Sequence, residues 1–94
     1  MRRLSSAVDV VISGHTHQAY LCDYAHIDPA RPLLLTSAGL YGTLLTEIEL
    51  TVDMASRRVI QRTARQHIVR AAAGDAPADP AVKALVERYA AAAA

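Results

Sequence analysis

The stretch Val8-Asp9-Val10-Val11-Ile12-Ser13-Gly14-His15-Thr16-His17 constrains this chain more than any other. A short, β-branched apolar run bounded by a turn residue reads as a buried strand, here residues 8–13. In an α/β sheet the loop beyond a strand's carboxyl end is the usual place for a site, and this loop carries His15 and His17. Backbone that stays extended past Gly14 would point both imidazoles one way and Thr16 the other. Two imidazoles would then face one small volume, as a metal ion requires. Gly14 is expected to supply the sharp turn and room for close approach.

Further along, Ala19–Asp23 reads as a short strand and Ile27–Pro32 as a loop. Pro32 opens a second buried strand at 33–37, followed by the glycine-bracketed turn Gly39-Leu40-Tyr41-Gly42. From Thr43 the apolar period becomes two. Ile48, Leu50 and Val52 alternate with Glu47, Glu49, Thr51 and Asp53, so one face should be buried and the other wet. The polar segment Asp53–Arg57 then turns into a second long strand over 58–69, completing a hairpin at about 44–68. Arg62, Arg65 and Arg70 are expected on or near its solvated side. Residues 71–78 contain Gly and Pro without periodicity and read as a linker. Asp79 is a natural N-cap and Pro80 a natural first helical residue. The stripe Val82, Leu85, Val86, Tyr89 follows at i, i+3, i+4, i+7 and needs a partner surface. Lys83 and Glu87 form an i,i+4 pair.

Length and composition narrow the function classes. At 94 residues the chain is one small domain, and Phe and Trp are absent. The net charge of +1, with acids and bases spread along the chain, marks no nucleic-acid or membrane surface. A single cysteine, Cys22, excludes an internal disulfide and a cysteine-built zinc site. No apolar run approaches the ~18 residues of a membrane-spanning helix. Met1-Arg2-Arg3 begins like a signal peptide, but Ser5, Ser6 and Asp9 interrupt any apolar core, so the sequence as written is expected to be soluble and unexported.

The Val/Ile strand followed by Gly14-His15-Thr16-His17 resembles the Gly-His-x-His signature of calcineurin-like metallophosphoesterases. The similarity to their 5'-nucleotidase branch runs from Val8 to about Tyr89. It takes in Ala38-Gly39-Leu40-Tyr41-Gly42, the alternating strand Leu44–Asp53, a basic hairpin return, a Pro-containing linker and the helix start Asp79-Pro80-Ala81-Val82. The implied fold is α/β, the β-rich C-terminal portion of a four-layer αββα sandwich with a C-terminal linker helix. Residues 1–70 would be the end of the catalytic domain, and 71–94 the linker and the start of the interdomain helix. The implied activity is hydrolysis of nucleotide or other phosphate monoesters at a dinuclear site of zinc-, manganese- or iron-class metals, about 3.5–4 Å apart. His15 would be a ligand of one metal and His17 of the other. Family members usually work in the periplasm, at the cell surface or secreted.

The departures from the family pattern matter equally. Its remaining ligands lie on an Asp-x-His, a Gly-Asp-x-x-Asp, an Asn-His-Glu/Asp and a further His. This chain has no asparagine, and Gly74-Asp75 is followed by an aspartate at Asp79, one residue too late. Asp23 and His26 have the wrong spacing, and no residue is an obvious general acid or base. Two histidines do not close a site needing about four ligands at a structural zinc, or three plus water at a catalytic one. The chain alone is therefore expected to be inactive, with the N-terminal part of the catalytic domain and a nucleotide-binding second domain as its missing partners. A separate polypeptide completing the site is a third possibility.

A different class of reading stands beside this one: a non-catalytic, β-rich interaction module whose histidines are structural. Turn-end imidazoles commonly bond backbone. On the bland reading His26 is a loop histidine and His67 a strand-surface histidine, while Cys22 is a small buried or half-buried apolar group. Tyr41 packs in the core beside its two glycines rather than meeting substrate, and the run Arg57, Arg58, Arg62 and Arg65 makes a solvated strand face rather than a phosphate site.

Overall fold

A computed structural model describes residues 3–70 and 76–94. Among these residues the chain is a mixed α+β structure with five strands in two sheets and one C-terminal helix. The strands are β1 (Val10–Ser13), β2 (Ala19–Asp23), β3 (Leu34–Ala38), β4 (Leu44–Asp53) and β5 (Arg58–Ile68), and the helix is α1 (Pro80–Ala93). A 3-10 turn, Tyr24–His26, leads out of β2, capped by the Asp23 carboxylate accepting from the Ala25 N–H.

β3 is the centre of the first sheet. It lies between β1, which runs parallel to it with Val10 opposite Leu34, and β2, which runs antiparallel with Ala19 opposite Ala38. Paired on both edges, β3 and the residue before it supply the buried core: Leu33, Leu34, Thr36 and Ser37. The two buried hydroxyls are satisfied locally. Ser37 Oγ donates to the Gln18 carbonyl at 2.6 Å and Thr36 Oγ1 reaches the Val11 carbonyl at 3.5 Å.

Sequence reading expects a buried strand at 8–13, and β1 departs from it. Strand pairing begins only at Val10, and Ile12 is 78% exposed. Among the described residues β1 pairs only with β3, so it is an edge strand with one covered face. A two-sided apolar run has the same composition on an edge as in a sheet centre; only its neighbours distinguish the two.

β4 and β5 form the expected hairpin, Leu44 opposite Ile68 and Asp53 opposite Arg58. The turn between them is built on Asp53, whose carboxylate accepts from the Ala55 and Ser56 N–H groups and from the Ser56 hydroxyl. The alternation in β4 holds near its start, where Leu44, Thr46 and Ile48 are half-buried, but Leu50 and Val52 are exposed. The partner strand β5 carries a β-bulge. Thr51 faces Gln61 while Val52 faces Val59, leaving Ile60 as the extra residue on β5. One extra residue exchanges the two faces of a strand, so Ile60 turns outward at 65% exposure. Arg62, Ala64 and Gln66 turn inward instead. Arg62 therefore does not lie on the solvated side as expected: its side chain is only 17% exposed and pairs with Asp9. Arg65 does lie outside, paired with Glu47 at 2.9 Å. From the inward face Gln66 Nε2 donates to the Ser37 carbonyl at 2.7 Å, joining hairpin to sheet.

α1 starts as its sequence dictates, with Asp79 Oδ1 accepting from the Ala81 and Val82 N–H groups and Pro80 at the first position. Lys83 and Glu87 meet at 3.9 Å. The stripe Val82, Leu85, Val86, Tyr89 is exposed throughout. The linker expected at 71–78 falls in large part on residues 71–75, outside those described.

Candidate functional site

The candidate site follows from the order of the first sheet. β1 and β2 flank β3, so the loop 14–18 joining them must cross the carboxyl end of β3. Strands separated by one other lie ~9.6 Å apart, whereas five extended residues would reach ~17 Å. The loop must therefore contract and reverse. It does so at the histidines: His15 has φ 69° and His17 φ 60°, both left-handed. The Thr16 N–H returns to the Gly14 carbonyl at 2.8 Å, closing a three-residue turn over His15. Extended backbone past Gly14 is thus corrected by the structure, and so is the role of Gly14. Its φ is not positive, and a Cβ placed on it meets nothing within 4 Å.

Left-handed backbone costs ~1–2 kcal/mol per non-glycine residue. Histidine tolerates it better than most, yet two such residues in three positions concentrate strain on the imidazole-bearing segment. The anchors that hold it are on β3. The Gln18 carbonyl accepts from both Ser37 Oγ and the Gly39 N–H, the latter at 3.1 Å, fixing the loop's far end. At the near end Ser13 Oγ donates to the Thr36 carbonyl at 2.8 Å and is hydrogen-bonded to the Tyr20 hydroxyl.

A second loop, 39–42, leaves the carboxyl end of β3 beside the first, because parallel strands β1 and β3 end on the same rim. Gly39 (φ 76°) and Gly42 (φ 68°) take left-handed conformations, as does Tyr41 between them (φ 54°). The turn closes through Thr43, whose N–H and Oγ1 both reach the Leu40 carbonyl. Tyr41 does not pack in the core as the bland reading expects. It is 89% exposed, and its ring stands 6.0 Å from that of His17, tilted by 54°. A residue held left-handed on a turn crest projects away from the sheet, which is why the neighbouring glycines do not draw it inward.

The rim therefore gathers His15, His17 and Tyr41, all exposed. Among the described residues neither imidazole has a hydrogen-bond partner, and no group of three His, Cys, Asp or Glu side chains could hold a metal ion. Two imidazoles are fewer than the about three or four protein ligands that a zinc site uses.

The other candidates lie elsewhere. His26 is on the exposed 3-10 turn, 3.8 Å from Asp23. His67 is on the outer face of β5, 2.7 Å from Glu47 Oε2. Glu47 is held below the usual carboxylate range by that His67 hydrogen bond first, then by Arg65. Cys22 is half-buried on β2. Sequence reasoning weighed Tyr41 but placed it wrongly; the signal available was that two loops following parallel strands must share a rim. No family model matches the chain, and no curated protein or solved structure is found similar to it.

Proposed function

We propose that this chain is part of a metal-dependent phosphoesterase of the 5'-nucleotidase type, the β-rich C-terminal portion of an αββα catalytic domain ending in a linker helix. The observation that carries the reading is the rim itself: two exposed imidazoles in strained backbone, beyond the carboxyl end of a parallel strand pair. Strain of this kind clusters at functional sites. When bound, two divalent metals of the zinc, manganese or iron class would supply an activated water and charge neutralisation for a phosphate ester. This chain's own contribution is narrower. His15 and His17 would each present a neutral ring nitrogen, the Gln18 and Ser13 anchors would fix where the loop stands, and Tyr41 would restrict the His17 ring. The remaining ligands would come from sequence or a polypeptide outside these residues, together with the nucleotide-recognising domain.

The test is calorimetric titration of the purified chain with Zn²⁺ and Mn²⁺, alongside a phosphatase assay on nucleoside monophosphates. Expected is weak binding that disappears in the His15→Ala/His17→Ala variant, with no turnover. Binding that persists in that variant, or nucleotide hydrolysis by the 94-residue chain, would overturn the reading.

The interaction-module alternative draws on a separate observation. Large apolar side chains are exposed on β1, on the hairpin and along α1, more than isolated surface residues require. It predicts that the histidine substitutions leave every metal- and phosphate-dependent property unchanged, including in a chain carrying the missing ligands.

A further inference from the structure

At the opposite end of β1 the two sheets enclose a cleft of about 490 Å³. Ligand pockets span about 300–1,000 Å³, so this one has room for a small molecule. Its charge is one-sided. Among the described residues Arg31, Arg57, Arg58 and Arg62 line it against a single acid, Asp9, and that acid is already engaged by Arg62. Arg62 also reaches the Val59 carbonyl at 3.5 Å, while its buried Nε has no hydrogen-bond partner among the described residues. Arg31 donates to the Leu4 carbonyl.

Arg57 and Arg58 are the donors this cleft has to spare. They sit where the Asp53-anchored turn hands the chain to β5, with Arg57 held left-handed at φ 57°. Neither makes an ion pair among the described residues. Placing guanidinium groups together is unfavourable unless an anion joins them, and their planar forks match the oxygens of a phosphoryl group two at a time. Leu33 and Val59 add an apolar wall, and among the described residues no aromatic ring lines the cleft to stack on a nucleobase.

We propose that this cleft binds a phosphoryl group, either as inorganic phosphate or carried by a small aliphatic phosphate monoester. Arg57 and Arg58 grip the anion from the turn, and Arg62 forms the floor while remaining paired with Asp9. The site is separate from the histidine rim, since ~13 Å of strand lies between Asp9 and Ser13. It does not depend on the phosphoesterase reading.

The experiment is an NMR amide titration of the full chain at low ionic strength. The probes are inorganic phosphate and glycerol phosphate, with sodium chloride as the ionic-strength control. Expected is saturable binding of at least one phosphate probe, with shifts concentrated at Asp9, Leu33 and residues 57–62. The Arg57→Gly/Arg58→Gln variant, whose changes fall on exposed side chains and relieve a left-handed residue, should bind at least tenfold more weakly with an unchanged circular dichroism spectrum. Arg65→Gln, on the outer face, should change affinity less than twofold. Tighter binding of the monoester than of inorganic phosphate would support an esterified ligand whose carbon part meets Leu33 and Val59; equal binding would support the phosphoryl group alone. Non-saturating shifts, or an equal loss in Arg65→Gln, would overturn the proposal.

Discussion

The two ends of β1 differ in how their polar groups are held. At the amino end Asp9 is locked to Arg62 across the sheets, among arginines of which only Arg57 is left-handed, on a turn anchored by Asp53. At the carboxyl end His15, His17 and Tyr41 are exposed and left-handed, held by turn hydrogen bonds within their own loops and by the bonds that anchor Gln18 and Ser13 to β3. The first arrangement fastens the hairpin to the sheet. The second stores backbone strain beneath side chains that make no hydrogen bond or ion pair among the described residues, which is the pattern of a site rather than of a scaffold. Substitution should separate the two.

The largest effect is expected at the amino end. Arg62→Met removes the partner of a partly buried carboxylate and should cost ~1–3 kcal/mol in urea unfolding. A variant as stable as the parent would show that the pair contributes nothing and that the ends do not differ as described. At the carboxyl end the glycines should diverge. Gly39→Ala places a side chain at φ 76° and should cost ~1–2 kcal/mol. Gly14→Ala, with open space and no left-handed backbone, should be neutral or stabilising by up to ~1 kcal/mol. His17→Gly, which relieves a left-handed residue, should also stabilise, by ~1 kcal/mol. If it destabilises instead, the histidine is a structural part of the turn.

The hairpin beneath both ends carries a pH dependence. Hydrogen bonds from His67 and Arg65 hold Glu47 below its ordinary range, and those from Ser56 and Ala55 do the same for Asp53. Because both carboxylates are easier to ionise in the folded chain, their contribution is full above the ordinary carboxylate range. It fades as acidification passes through the lowered folded values. Glu47 is exposed and Asp53 only half-buried at the hairpin turn, so the loss should be small, and urea midpoints measured from pH 6 down to pH 3 should fall with decreasing pH. A rise would contradict the assignment. The smallest effect belongs to Tyr41→Ala, within ~0.5 kcal/mol in stability but visible as a shift of the His17 ring resonances.

Much of this was legible in the sequence for local reasons. The hairpin at 44–68 was written in its alternation and its Asp53 turn, and α1 in the Asp79-Pro80 start. What escaped depended on neighbours that no local pattern encodes. Whether Val10–Ile12 lies at an edge is decided by strand order, and the side taken by Arg62 by a one-residue bulge opposite Thr51 and Val52. At the rim, the histidines were legible as residues but not as conformations. The loop crosses one strand and returns, and that span forces left-handed turns onto His15 and His17 where an extended run was expected.

The central claim is that His15 and His17 act together as metal ligands. The most direct measurement follows the imidazole ring resonances of all four histidines during titration with Zn²⁺. The account predicts that His15 and His17 respond together, at one weak affinity, while His26 and His67 stay unmoved at the same concentrations. A response led by His26 or His67, or rings of His15 and His17 that never move together, would contradict it.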